Sequence, residues 1–197
     1  MPERPWNVRD KTCLVTGATS GHGLAVARLL ARRGADIVLL GRDPAKCQAV
    51  RESIRRETAR TPEVLVCDLS SRREIDRTAE QWLALDRPLH LLVDNAGLVT
   101  RNRRESPDGV ELTMAVNYLA CFQLTLRLLP RLARSAPARI VIVASDAQRM
   151  ASLDPDDLEL RRRWWFMGAY AKSKLALLFF QRDLARRLEG TRVTVNA

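Results

Sequence analysis

The chain has 197 residues, 46% of them apolar, and a formal net charge of +10 carried mostly by arginine. This length and composition suit one globular domain with a sizeable core and argue against a disordered chain. No apolar run approaches the ~20 residues of a bilayer-spanning helix, the first five residues hold no apolar leader, and Cys13, Cys47, Cys67 and Cys121 fall in no metal-ligand spacing. No transmembrane segment is therefore expected, and free thiols fit a reducing cytoplasm.

Short β-branched runs alternate with amphipathic stretches along the chain. Strands are expected at 12–16, 36–40, 63–67, 90–93, 139–144 and 192–195. Helices are expected at 21–33, 44–58, 72–85, 107–133 and 168–188. The run Ile140-Val141-Ile142-Val143 is apolar at every position, as in a strand buried on both faces of a parallel sheet. The alternation predicts an α/β fold, a Rossmann-like doubly wound parallel sheet in the order 3-2-1-4-5-6 with helices on both faces. Residues 146–167 form a long irregular insertion with Arg161-Arg162-Arg163 followed by Trp164-Trp165-Phe166. The arginines read as a solvated turn; the aromatics read either as core or as the wall of a substrate pocket. Arginines elsewhere, such as Arg28, Arg32 and Arg51, are scattered along helices, so nucleic acid is not an expected partner.

The first strand runs into Thr16-Gly17-Ala18-Thr19-Ser20-Gly21-His22-Gly23 and then a helix. Glycines there permit a tight turn that brings backbone N–H groups up to a pyrophosphate at the helix N-terminus. Gly17, Thr19, Ser20, Gly21, His22 and Gly23 are accordingly candidate cofactor residues. His22 reads as a tolerated turn residue or as a phosphate contact. The second strand ends Gly41-Arg42, where an NAD-preferring site would carry an acid for the ribose 2′-hydroxyl. A guanidinium grips a 2′-phosphate instead, so NADP(H) is favoured over NAD(H), with simple surface charge as the other reading of Arg42. The third strand ends in Asp68-Leu69. Asp68 can accept from an adenine amino group, or Asp68 or Ser70 can cap the next helix.

Tyr170 and Lys174 stand four residues apart on one expected helix face. A phenol is a poor acid–base group at neutral pH. A neighbouring ammonium and the positive nicotinamide of oxidised cofactor favour the phenolate, which gives the pairing its chemical sense. Ser145 ends the fifth strand, on the edge that faces the ligand crevice in open α/β sheets.

With these motifs in order, the chain resembles a short-chain dehydrogenase/reductase over essentially its whole length. The resemblance rests on the Thr16–Gly23 turn, Asp68, Asn95-Ala96-Gly97 after strand four, Asn117, Ser145, Tyr170 and Lys174. The segments 169–176 and 182–188 are similar to the retinol dehydrogenase and WW-domain-containing oxidoreductase branch. The resemblance implies hydride transfer between NADP(H) and a carbonyl or alcohol of an apolar small molecule. Tyr170 would move the proton, Ser145 orient the oxygen, Lys174 hold the ribose, and Asn117 support a proton relay. Asn95, Ala96 and Gly97 would flank the cofactor. Asp94 stands where the family more often has asparagine. The resemblance implies a Pro-Gly turn, a substrate lid and a last helix and strand after Asn196-Ala197, so either the sequence is a fragment or truncated product or the protein manages without a lid; a truncated, nucleotide-binding but inactive family member or interaction module is the rival reading. Leu177, Phe180, Leu184 and Leu188 form a second apolar set beside Leu175, Leu178 and Phe179. A homodimer through that helix and the one bearing Asn117 is expected.

Overall fold

Strand β1 (Thr12–Thr16) is buried at all five positions and lies in the middle of the sheet. It pairs in parallel with β2 (Asp36–Gly41) on one side and β4 (Leu91–Asp94) on the other. The remaining strands are β3 (Glu63–Val66), β5 (Ala138–Ile142) and β6 (Val193–Asn196). The six run in the order β3-β2-β1-β4-β5-β6. The structure, a computed structural model, describes residues 6–197, so the amino-terminal stretch read as lacking a leader lies outside the described residues.

Successive side chains of a strand point to opposite faces, and each face has its own core. Leu14, Val38, Leu40, Leu92 and Ile140 pack on one face against α3 (Arg72–Ala84), α5 (Ala120–Arg134) and α6 (Phe166–Arg187). Cys13, Val15, Ile37 and Leu39 pack on the other face against α1 (Gly21–Arg32) and α2 (Pro44–Thr58). Each buried Leu or Ile contributes roughly 1.5–3 kcal/mol relative to exposure.

Two expectations need correction. The fifth strand is not buried on both faces: Ala138, Ile140 and Ile142 are buried, whereas Arg139 is exposed and Val141 half-buried. Helices α1 and α2 cover β1 to β3, and among the described residues no helix covers the same face of β5. The helix expected from residue 107 begins instead at Leu112, as α4 (Leu112–Met114). Residues 106–110 form a turn in which Gly109 has φ +74° and the Ser106 hydroxyl accepts from the N–H groups of Asp108 and Val110. A π turn (Ala115–Leu119) then joins α4 to α5. The continuous helix Leu112–Arg134 is 23 residues long and apolar enough to span a bilayer, which the sequence reading had not expected. Half of its most apolar stretch is buried within the fold, with Leu124, Leu128 and Leu132 fully enclosed.

Candidate active site

The turn after β1 is shaped by steric necessity. Gly17 and Gly21 adopt φ of +64° and +52°, the left-handed region that favours glycine. Gly23 is buried, and a Cβ there would overlap the Gly17 carbonyl and the Asn95 amide. Gly23 thus serves helix–strand packing and does not line the cleft. Ser20 is extended and its side chain makes no cap bond, so the first N–H groups of α1 face outward with no acidic residue in the first turn. That arrangement suits an anion.

The ends of β1 and β4 are stitched together. The Thr16 hydroxyl accepts from the N–H groups of Asn95 and Ala96, each at 2.9 Å, and donates to Val93 O at 3.3 Å. The Asn95 amide donates back to Thr16 O at 2.9 Å.

A cleft of ≈ 880 Å³ opens above this stitch. Gly17, Thr19, Ser20, Gly21 and His22 line it from the first turn, and Gly41 and Arg42 from β2. Asp68 and Leu69 line it after β3, and Asn95, Ala96 and Gly97 after β4. Residues not foreseen from the sequence also line it, among them Lys46, the 104–107 loop, Leu112 and Val116. Lys46 had a signal, since it follows Arg42 by four residues in the first turn of α2; Arg104 had none, because its loop is placed by non-local contacts. At Gly41 a Cβ would meet Cys47 Sγ at 2.8 Å and Thr19 Cγ2 at 2.9 Å, so no side chain fits there. The capping question at β3 is resolved: Ser71 caps α3 by accepting from Glu74 N, while Asp68 Oδ1 accepts from Ser70 N within the cleft wall.

Of the expected catalytic residues, Asn117 and Lys174 lie beside Gly97 of the cleft wall, with Tyr170 next to Lys174 on α6. Lys174 is 4% exposed; its ammonium donates to Val143 O at 2.7 Å and lies 5.7 Å from the Tyr170 ring centroid. Burial pushes its pKa down. A Cβ on Gly97 would lie 3.7 Å from this ammonium and 3.4 Å from Asn117 Oδ1, which places Gly97, Asn117 and Lys174 around one point. Asn117 sits inside the π turn, a distortion frequent at functional sites. Its side chain accepts from Leu98 N at 2.8 Å and donates to Leu98 O and to Ser173 Oγ, each at 3.0 Å. The Ser173 hydroxyl in turn donates to Tyr170 O at 2.7 Å. Asn117 therefore braces the Tyr170 turn through Ser173, and its amide does not touch Lys174. Ser145 is half-buried after β5 and accepts from Ala147 N at 3.3 Å, capping a short 3₁₀ turn (Asp146–Met150).

Beneath the crevice, Asp94 is a buried carboxyl at the end of β4. Its Oδ2 accepts from the Thr125 hydroxyl at 2.8 Å, and the Cys121 thiol also faces it. Burial raises its pKa to about 7, and the Thr125 and Cys121 bonds offset this only in part.

A fold with this strand order, a glycine turn under a nucleotide-sized cleft and a Tyr–Lys pair beside it has the architecture of a doubly wound dinucleotide-binding domain. The family model for short chain dehydrogenases matches residues 11–197, and the chain belongs to that family. It is 42% identical to retinol dehydrogenase 12 of Mus musculus over 192 residues, 96% of this chain and 60% of that one. It is 38% identical to polyprenol dehydrogenase of Homo sapiens over 203 residues, covering 100% of this chain and 60% of that protein. A short chain dehydrogenase of Escherichia coli CFT073 complexed with NADPH superposes with a TM-score of 0.79 at 32% identity, over 96% of this chain and 75% of the other. The chain thus spans about three fifths of the length of the curated relatives it matches.

Asp94 generates a stability prediction. Between about pH 4 and pH 7 the native state holds a proton on Asp94 that the unfolded chain releases, so stability falls as pH rises through that window. Asp94→Asn keeps an acceptor for Thr125 and removes the titration. Thermal unfolding should show the variant more stable than the parent at pH 8, by roughly 2–4 kcal/mol, with the advantage vanishing towards pH 4. An equal gain at both pH values would contradict the assignment.

Proposed function

We propose that this chain is the nucleotide-binding and catalytic part of an NADP(H)-dependent oxidoreductase that acts on an apolar alcohol or carbonyl compound. The observation that carries the reading is the Tyr170–Lys174 pair on α6, braced by Asn117 and Ser173 at the end of the cleft. When bound, the nicotinamide supplies or takes the hydride. The α1 N-terminus and its glycine turn hold the pyrophosphate, Lys174 holds the ribose, Ser145 orients the substrate oxygen, and Tyr170 gives or takes the proton on that oxygen. The cradle fits such a cofactor on steric grounds, since Gly17 and Gly21 make the left-handed turn that lines the cleft with backbone and Gly41 leaves the end of β2 without a side chain.

The preference for NADP(H) rests on the end of β2. An acid for the ribose 2′-hydroxyl has no room at Gly41, while Arg42 and Lys46 supply two cations to the same cleft. The E. coli relative complexed with NADPH supports this choice. The apolar substrate class is supported by relatives named for retinol and polyprenol, both apolar alcohols.

Fluorescence titration should give tighter binding of NADPH than of NADH. Arg42→Ala should weaken NADPH by about 10- to 100-fold, the range of a lost charged hydrogen bond, and leave NADH nearly unchanged. Equal binding of the two cofactors would overturn the Arg42 argument.

Turnover of apolar aldehydes should fall by about 10²- to 10⁴-fold in Tyr170→Phe with NADPH binding retained. NADPH binding by the parent without any Tyr170-dependent turnover would instead favour a nucleotide-binding interaction module.

The assembly we read for the chain is a homodimer through α5 and α6. Phe122 and Leu126 on α5 and Phe179 on α6 expose large apolar side chains, which a partner would cover. Light scattering at micromolar concentration should give about twice the 22.3 kDa chain mass, and a monomeric mass would refute it.

A further inference from the structure

Between the two expected catalytic residues of α6 stands a third polar side chain that the mechanism does not use. Lys172 is only 5% exposed. On a helix it points about 200° away from Tyr170, whereas Lys174 points within about 40° of Tyr170. Its ammonium therefore leaves α6 on the side opposite the catalytic pair. There it donates to the Asp157 carbonyl at 2.7 Å. Asp157 is the centre of the insertion that joins Ser145 to Tyr170. Its carboxylate accepts from Arg161 N at 2.7 Å and from Arg162 N at 3.2 Å, which closes residues 157–162 into a loop with Leu160 at φ +53°.

A second tie holds the same insertion from the other side. Glu111, 1% exposed, accepts from the Trp164 indole N–H at 3.3 Å, and its own backbone N–H donates to Glu159 Oε2 at 3.0 Å. The loop just before Glu111 contributes Arg104, Glu105 and Ser106 to the cofactor cleft. The insertion is thus fastened both to the catalytic helix and to the cleft wall. Burying an ammonium is costly unless a ligand or a structural contact compensates it. Here the compensating contact is a backbone carbonyl of an otherwise exposed segment. Along this segment and its flanks Met150, Leu158, Trp165 and Phe166 expose large apolar side chains.

We propose that Lys172 is a positioning residue that holds the 151–165 insertion as a preformed apolar wall for the distal chain of the substrate. The substrate half of this proposal rests on the oxidoreductase reading given above. A long apolar aldehyde reaches the wall; a short one does not. The clasp therefore sets the affinity for long substrates and leaves the proton-transfer residues untouched.

The test uses the full chain with Lys172→Met and Lys172→Arg. Trypsin cleavage at the exposed run Arg161-Arg162-Arg163, read site by site by mass spectrometry, reports release of the insertion. It should be faster by about tenfold or more in Lys172→Met and near the parent rate in Lys172→Arg, because cleavage of a locally opened segment follows its open population. With NADPH as cofactor, KM for decanal should rise by about fivefold or more in Lys172→Met while kcat changes by less than about twofold. KM for propanal and the affinity for NADPH should not move. If Lys172→Met does not fold, Trp164→Phe removes the second tie from the insertion side and should accelerate the same cleavage. Unchanged cleavage in the folded variants overturns the clasp. Faster cleavage with decanal and propanal affected alike overturns the wall. Absence of turnover in the parent overturns the oxidoreductase reading, and the proteolysis result alone then decides the clasp.

Discussion

The site depends on one hydroxyl. Thr16 stands where β1 and β4 part company, and its Oγ1 takes two backbone N–H groups of the β4 loop while giving its proton to Val93 O. A backbone amide left unpaired at such a buried point costs about 1–3 kcal/mol, so the hydroxyl fixes both loops at once. The strand order makes this the place where it matters. The chain leaves β3 at one edge and re-enters the sheet at β4 beside β1, so the loops after β1 and β4 diverge and open a crevice at their carboxyl ends. The glycine turn, the Asn95-Ala96-Gly97 wall and the point shared by Asn117 and Lys174 are all hung from that fork.

Buried charge is handled differently on the two levels of the site. At the crevice, Lys174 is desolvated but donates to Val143 O, and the cleft next to it admits charged ligands. One layer below, Asp94 has only neutral partners, Thr125 and Cys121, and its proton is the cheapest way to keep it buried. On the far side of α6, Lys172 donates to the Asp157 carbonyl, and its charge also acts on the Asp157 carboxylate. Helix α6 thus carries two buried ammonium groups on opposite faces, one towards the cleft and one towards the insertion.

Much of this was legible in the residues themselves. Periodicity placed β1 at 12–16 and α2 at 44–58, matching the observed bounds. The glycine spacing and the ends of β2, β3 and β4 located about half of the cleft lining, and the 104–116 segment on its far wall was not foreseen. What escaped was set mostly by partners distant in sequence. The late start of α4 is the exception, since Ser106-Pro107-Asp108-Gly109 is a local turn signal whose hydroxyl bonds reach only Asp108 and Val110. The burial of Lys172 had no local signal, because it requires the insertion to fold back over it. The half-open face of β5 was misread because apolar composition records what a strand can bury, whereas actual burial depends on which helices cover it.

The end of β2 shows how exclusion and attraction combine in a single position. Two neighbours crowd Gly41, Cys47 from α2 and Thr19 from the first turn, at distances that leave no space for a Cβ. Cys47 is itself buried and raised in pKa by that burial, so it behaves as a packing group and not as a reactive thiol. A carboxylate at Gly41 would therefore need both neighbours to retreat, and the retreat would disturb the seat of α2 and the glycine turn after β1. Arg42 and Lys46, by contrast, project from the rim at no packing cost. Changing the charge at this edge is an alteration of two surface side chains, whereas installing an acid is an alteration of the core. In the proposed reading, a preference at this edge would combine packing that excludes an acid with charge that attracts a phosphate.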